Sequence, residues 1–316
     1  PPSLSGRNPV PPIDPADEAR HDPDDSLLWN ESYYLDWFSP DGSVGGYVRI
    51  GFVPGLHRVW YWACVVGAGR PLVTVIDHDV PLPRDPRSFD LNYDGLAADY
   101  SVDAPLEQVS CNLESFALAL DDPAAVYQGA YGERVPFGFE LDWTTDRAGY
   151  QWPPVTLRYE IPCRVHGEVR VGREVIRVDG WGQRDHSWGA ARDWWAMPWC
   201  WSAGRLDDGT RWHTAGGFFP DPPWGVAYEL PAGSSEFVES DAVVIDQEPG
   251  REGLVERARL RFGALDLDVE PVAWSPVLLT HPDGREDRFP RALARVTNSD
   301  GRKGHCWAGF NQPPSP

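Results

Sequence analysis

The sequence predicts an all-β protein built as two tandem antiparallel β-barrels packed side by side. Three observations carry that expectation. The chain is rich in Val, Trp, Tyr and Phe and holds 32 prolines and 31 glycines, a composition of short strands and many turns. Outside residues 16–20 and 113–120, no window repeats near 3.6 residues, so helices have little to build on. The chain also resembles itself. Asp41-Gly42 matches Asp208-Gly209 at an offset of 167, and residues 51–54 (GFVP) match 217–220 (GFFP) at 166. Val75-Ile76-Asp77 matches Val244-Ile245-Asp246 at 169, and Pro105 matches Pro271 at 166. Four matches in order at nearly one offset indicate duplicated halves.

The elements follow in chain order. Residues 1–25 form an N-terminal extension whose opening PPSLSGRNPVPPIDP has no apolar core to act as a signal peptide. The first barrel is expected over 26–185. Within it, residues 59–69 contain Trp-Tyr-Trp-Ala-Cys and read as a buried strand. Asp77-His78-Asp79 offers metal-ligand types, yet its counterpart Asp246-Gln247-Glu248 lacks His, so it reads as a solvated turn. Residues 164–178 alternate around Gly172-Arg173, a hairpin signal. The second barrel is expected over 186–316, beginning with a hairpin at 199–219. Each half ends in H-x-W: His186-Ser187-Trp188 and His305-Cys306-Trp307.

Composition narrows function. The formal charge is −20, from 48 acids against 28 bases, which repels phosphate backbones and anionic lipid and argues against nucleic-acid or peripheral membrane partners. No apolar run approaches the ~20 residues that span a bilayer. Five cysteines, scattered and never in C-x-x-C spacing, fit a reducing compartment and make the cytoplasm the default. Residues 67–71 put Pro71 where a dinucleotide-binding helix should begin, and Ser187 lacks a nucleophile elbow. No metal or cofactor is expected. A homodimer is compatible with the sequence. The 16 tryptophans suit both β cores and pockets for large apolar or sugar ligands.

Chemistry concentrates in residues 180–195, GWGQRDHSWGAARDWW. His186 is the candidate acid–base group, since imidazole titrates near neutrality. Asp185 or Asp193 could orient it, and Arg184 or Arg192 could pair with those acids. Trp188, two residues beyond His186, projects to the same side of an extended segment and could stabilise developing positive charge. In the following hairpin, a two-residue type I′ turn at Asp208-Gly209 pairs Arg205 with Trp212, Ala203 with Thr214, Trp201 with Gly216 and Trp199 with Phe218. Arg205 then lies on Trp212, while His213 sits on the opposite, more polar face.

The same segment resembles the double-lipocalin superfamily of carotenoid 1,2-hydratases (hydroxyneurosporene synthases) and lipocalin-like Diels–Alderases, most of all uncharacterised actinobacterial members carrying G-x-G-x-R-D-H-S-W-G. The resemblance implies two lipocalin-like barrels with the site in an apolar tunnel between or within them. It implies that His186 and Trp188 are the H-x-W pair of that family's hydratases. Their Y-x-D pair falls here on His213 and Ala215, so the usual carboxylate is missing, and His213 with His186 assisting, or another acid, must replace it. The expectation is a cofactor-independent hydratase, isomerase or cyclase on a hydrophobic isoprenoid or polyketide-like substrate. His186, His213 and Asp185 are its catalytic candidates; Trp188, Trp194, Trp199, Trp201, Trp212 and Arg184 line the pocket. The rival expectations are a non-catalytic carrier of an apolar metabolite and a carbohydrate-binding β-protein.

Overall fold

A computed structural model describes residues 12–129, 132–154, 156–189, 195, 198–217, 225–240 and 243–312. The first sheet contains β1 (Glu31–Phe38), β2 (Val44–Val53), β3 (Arg58–Gly67), β4 (Leu72–Pro81), β5 (Leu91–Tyr93), β6 (Leu96–Ala104), β7 (Gln108–Leu120), β8 (Glu133–Thr145), β9 (Tyr150–Gln151), β10 (Leu157–Val171) and β11 (Glu174–Trp188). The second contains β12 (Trp199–Leu206), β13 (Arg211–Gly217), β14 (Gly225–Leu230), β15 (Val238–Ser240), β16 (Val244–Pro249), β17 (Val255–Phe262), β18 (Leu265–Trp274), β21 (Arg291–Asn298) and β22 (Lys303–Asn311). Between β18 and β21, β19 (Val277–Thr280) and β20 (Glu286–Phe289) form a separate hairpin.

Both large sheets are antiparallel and curl. In the first, the order β4-β3-β2-β1-β11-β10-β8-β7 is closed by a β4–β7 pairing, so no edge is left in that ring. In the second the order is β15-β14-β13-β12-β22-β21-β18-β17-β16. Its two edge strands, β15 and β16, are consecutive in the chain. The two orders correspond strand for strand outward from the central pairs β1–β11 and β12–β22. The job of β4, which pairs with both β3 and β7, is divided between β15 and β16.

The internal matches fare unevenly. Asp41-Gly42 and Asp208-Gly209 close corresponding hairpins, β1–β2 and β12–β13. Pro105 and Pro271 are not equivalent: the first lies in the β6–β7 turn, the second at a bulge inside β18. Residues 113–120, with their helical spacing, are the end of β7; cross-strand pairing with β4 and β8 overrides the local pattern. Residues 16–20 overlap a one-turn 3-10 segment, Pro15–Glu18, capped by Asp14. His186, Ser187 and Trp188 are the last residues of β11, within the first sheet.

Side-chain alternation on these curled sheets produces three cores. One fills the first barrel, with Tyr33, Phe52, Tyr61, Trp143 and Tyr159. Another fills the second, with Trp212, Leu260, Phe262 and Phe310. The third is the seam, where the outer face of β1–β3 meets that of β12–β14 and β22 through Tyr34, Tyr47, Trp62, Trp201, Tyr228 and Trp307. All five cysteines are buried free thiols. No helix among the described residues is long and apolar enough to cross a membrane.

Candidate functional site

On β11 the alternation separates neighbours that the sequence grouped together. Arg184, His186 and Trp188 point into the first barrel, whereas Gln183 and Asp185 point to the seam, as their partners show. Asp185 therefore does not orient His186. It binds Arg158 instead, with Nη2 donating to Oδ2 at 2.7 Å.

Inside the first barrel, the N-terminal segment before β1 folds over the mouth and meets β11. His186 Nε2 lies 3.2 Å from Glu31 Oε1, and His21 Nδ1 lies 2.8 Å from the same oxygen. His186 Nδ1 is 2.7 Å from the Asp17 carbonyl oxygen. The His186 ring stacks on Tyr33 at 3.9 Å and lies 4.7 Å from the Trp188 ring, which stacks on His21 at 4.0 Å. Trp188 is thus on the expected side of His186. Arg184 Nη1 donates to Glu18 Oε1 at 2.7 Å, as does the Tyr159 hydroxyl. Burial pushes the Glu31 carboxyl up, but His186 and His21 outweigh it and hold its pKa at about 2.

A second centre occupies the seam. Glu160, fully buried on β10, sits opposite Asp185 in the β10–β11 ladder. Its Oε1 accepts from Arg158 Nε at 2.8 Å and Trp201 Nε1 at 3.0 Å, and its Oε2 accepts from Gln183 Nε2 at 2.9 Å. His213, also 0 % exposed, places Nε2 3.6 Å from Glu160 Oε1. Neither ring nitrogen completes a hydrogen bond of ordinary geometry with a described residue. The rings of Trp152, Trp201 and Tyr228 surround this imidazole at 5.6–5.7 Å. Burial pushes the Glu160 carboxyl above the usual carboxylate range, against the Arg158 guanidinium and its hydrogen bonds. Burial, then the Arg158 charge, drives His213 well below the usual imidazole value. An acid that resists ionising thus stands beside an imidazole that resists protonation.

This geometry corrects several expectations. His186 and His213 do not share one cavity: one is inside the first barrel, the other in the seam. The β12–β13 hairpin turns through three residues, Asp207-Asp208-Gly209, with Leu206 N–H donating to the Thr210 carbonyl at 2.9 Å. Only Gly209 of these has a positive φ, +94°, so the two-residue type I′ turn is not formed. Pairing slips by one residue, giving Ala203 with His213, Gly204 with Trp212 and Trp201 with Ala215. A one-residue slip exchanges faces. Trp201 and His213 therefore face the seam together, and Trp212 fills the second barrel beside Phe262. Arg205 stacks on Trp181 at 4.1 Å, not on Trp212. Trp199 flanks the seam 5.0 Å from Phe289. Trp194, Arg192 and Asp193 lie outside the described residues.

Sequence reasoning missed His21, Glu31, Arg158 and Glu160. A signal existed for two of them. Extending the Gly172-Arg173 turn back along its hairpin places Glu160 opposite Asp185 and Arg158 opposite Ser187. His21 and Glu31 had no such pointer. A concavity of about 820 Å³ bordered by Asp90, Asn112, Glu140 and Arg170 contains none of these groups.

A family model described as a domain of unknown function (DUF7064) matches residues 14–314. Comparison with curated protein sequences gave no match. Among solved structures, an AttH-like protein from Nitrosomonas europaea aligns with a TM-score of 0.66 at 14 % identity, covering 97 % of this chain and 98 % of that one. CghA with Sch210972 aligns at 0.62 and 11 % identity, covering 91 % and 89 %. Kievitone hydratase from Nectria haematococca aligns at 0.60 and 10 % identity, covering 98 % and 95 %. The likeness shows a shared lipocalin-like fold along nearly the whole chain.

Proposed function

This chain belongs to the DUF7064 family, and we propose that it is an enzyme transferring a proton to a hydrophobic small molecule held at the seam between its barrels. The reaction class is hydration, isomerisation or cyclisation of an alkene-bearing, isoprenoid- or polyketide-like substrate. A hydratase and CghA with its bound compound share the fold, which supports the reading by analogy alone. The site falls where ligand sites favour forming, between two domains.

One observation carries the proposal: Glu160 and His213 are both fully buried, 3.6 Å apart, within an aromatic wall. Arg158 faces two carboxylates, Glu160 and Asp185. Complete burial of Glu160 disfavours its ionised form despite that guanidinium. Glu160 is then a carboxylic acid poised to donate, as the missing Y-x-D aspartate would.

Donation forms a C–H bond from the alkene π pair and leaves a cation at the adjacent carbon. The indole faces of Trp201 and Trp152 stabilise that charge. In hydration a water oxygen adds to the cation and its surplus proton passes to His213, then back to Glu160. In isomerisation the proton leaves a neighbouring carbon by the same route. Neither path changes the overall oxidation state, so no redox cofactor is required. His186 contributes nothing to this step, and Asp185 serves as the counter-charge to Arg158.

The test is turnover in D2O on compounds extracted from the source cells, read by mass spectrometry. The enzyme reading requires one deuterium on product carbon with the native protein and a fall of ~10²-fold or more in Glu160→Gln. A ligand that binds and is recovered unlabelled from both proteins identifies a carrier instead.

A further inference from the structure

We propose that His21, Glu31 and His186 form a binding site for a divalent transition-metal ion, best matched by Zn2+, which clamps the N-terminal segment onto the first barrel. The donor atoms of these three residues all lie within 4.8 Å of one another. His21 comes from the segment before β1, Glu31 opens β1 and His186 lies on β11.

Proton bookkeeping supports the assignment. The Asp17 carbonyl oxygen can only accept, so His186 Nδ1, 2.7 Å away, carries the hydrogen. In a neutral ring this leaves the Nε2 lone pair facing Glu31 Oε1 at 3.2 Å, another acceptor. His21 admits the same tautomer. Its Nε2 lies 3.4 Å from the Asp17 carboxylate, and a hydrogen there leaves the Nδ1 lone pair 2.8 Å from Glu31 Oε1. In these tautomers two nitrogen lone pairs and a carboxylate oxygen lie close together, a set that a divalent cation between them would satisfy.

The surroundings resemble those of a metal centre. Metal-ligating histidines almost always donate the remaining ring N–H to a carbonyl or carboxylate, which fixes the tautomer; both rings here have such an acceptor in Asp17. Aromatic stacking holds both rings, His186 on Tyr33 and His21 on Trp188. Glu31 Oε1 is further held by the His21 backbone N–H at 2.8 Å and the Tyr33 hydroxyl at 3.4 Å. Arg20 Nε approaches the other oxygen, Oε2, at 3.6 Å, which leaves Oε1 directed at the rings. Two nitrogens and one oxygen suit Zn2+, Co2+ or Ni2+ over the oxygen-seeking Ca2+ and Mg2+. Zn–N and Zn–O bonds near 2.1 Å put tetrahedral ligands ~3.4 Å apart, and slight opening of the 2.8 and 3.2 Å separations reaches that value. Water supplies the remaining position.

The experiment strips the full chain with a chelator, then titrates it with Zn2+ by calorimetry and with Co2+ by visible absorption. The expected result is one ion per chain, strong four- or five-coordinate Co2+ bands, and slower proteolysis of the N-terminal segment with Zn2+. His21→Ala, Glu31→Gln and His186→Ala should each weaken Zn2+ at least tenfold, while His57→Ala on the exposed surface leaves it unchanged. His21 is 24 % exposed at its side chain, so His21→Ala keeps the test decisive if His186→Ala fails to fold. Substoichiometric binding, an octahedral aqua-like Co2+ spectrum, or equal affinity in folded His21→Ala would overturn the proposal. Each readout is independent of turnover, so the seam chemistry can fail while the metal site stands.

Discussion

Asp185 and His186 are consecutive residues on β11, yet one binds Arg158 in the seam and the other meets Glu31 inside the first barrel. That single alternation divides the motif between two centres. It predicts different consequences for substitutions one residue apart.

Asp185→Asn leaves Arg158 with Glu160 as its one carboxylate partner among the described residues. The undivided positive charge favours the ionised form, so the Glu160 pKa falls. The acid form is lost at lower pH, and the alkaline limb of the turnover profile should move down by about 1 unit. A limb that stays in place with Asp185→Asn would separate Asp185 from Glu160.

Asp36 is a fully buried carboxyl whose pKa burial raises to about 8, against the Gln183 backbone hydrogen bond and the Arg291 charge. The folded state therefore holds a proton that the unfolded chain releases near pH 4. Stability from this group is complete below pH 4 and is lost as pH rises toward 8. Asp36→Asn removes the loss. It should be near neutral at pH 4 and stabilising by on the order of 5 kcal/mol at pH 8, measured by urea denaturation at both values.

Trp212 and Trp201 are both buried, but only Trp201 reaches the seam acid, donating to Glu160 at 3.0 Å. Trp212→Phe should lower stability by about 1–3 kcal/mol with turnover intact. Trp201→Phe should lower turnover at least tenfold. Equal effects on turnover would mean that both indoles touch substrate.

Gly209, at φ +94°, closes the three-residue β12–β13 loop. A side chain there is strained, so Gly209→Ala should cost about 1–2 kcal/mol. Asp208 has no positive φ, and its turn position should tolerate Asn. Chemical denaturation of the two variants checks the loop, and hence the register that brings Trp201 beside His213.

Much of this architecture is local and could be read directly. The Gly172-Arg173 turn, the buried run at β3 and the shared side of His186 and Trp188 each follow from short-range geometry. The β12–β13 register could not: Asp208-Gly209 occurs in two- and three-residue loops alike, and the difference exchanges every face. His21 reaches Glu31 only because the N-terminal segment folds over the barrel mouth, a contact without a local pattern. Glu160 is the intermediate case, implied by the β10–β11 hairpin once its pairing is extended to Asp185.

The protonation state of Glu160 at neutral pH is the most direct test. Infrared difference spectroscopy of Glu160→Gln against the native protein at pH 7 needs no substrate. A lost carboxylic-acid carbonyl band, shifting in D2O, is the expected result. Loss of carboxylate stretches alone would show an ionised Glu160 and contradict proton donation from the seam.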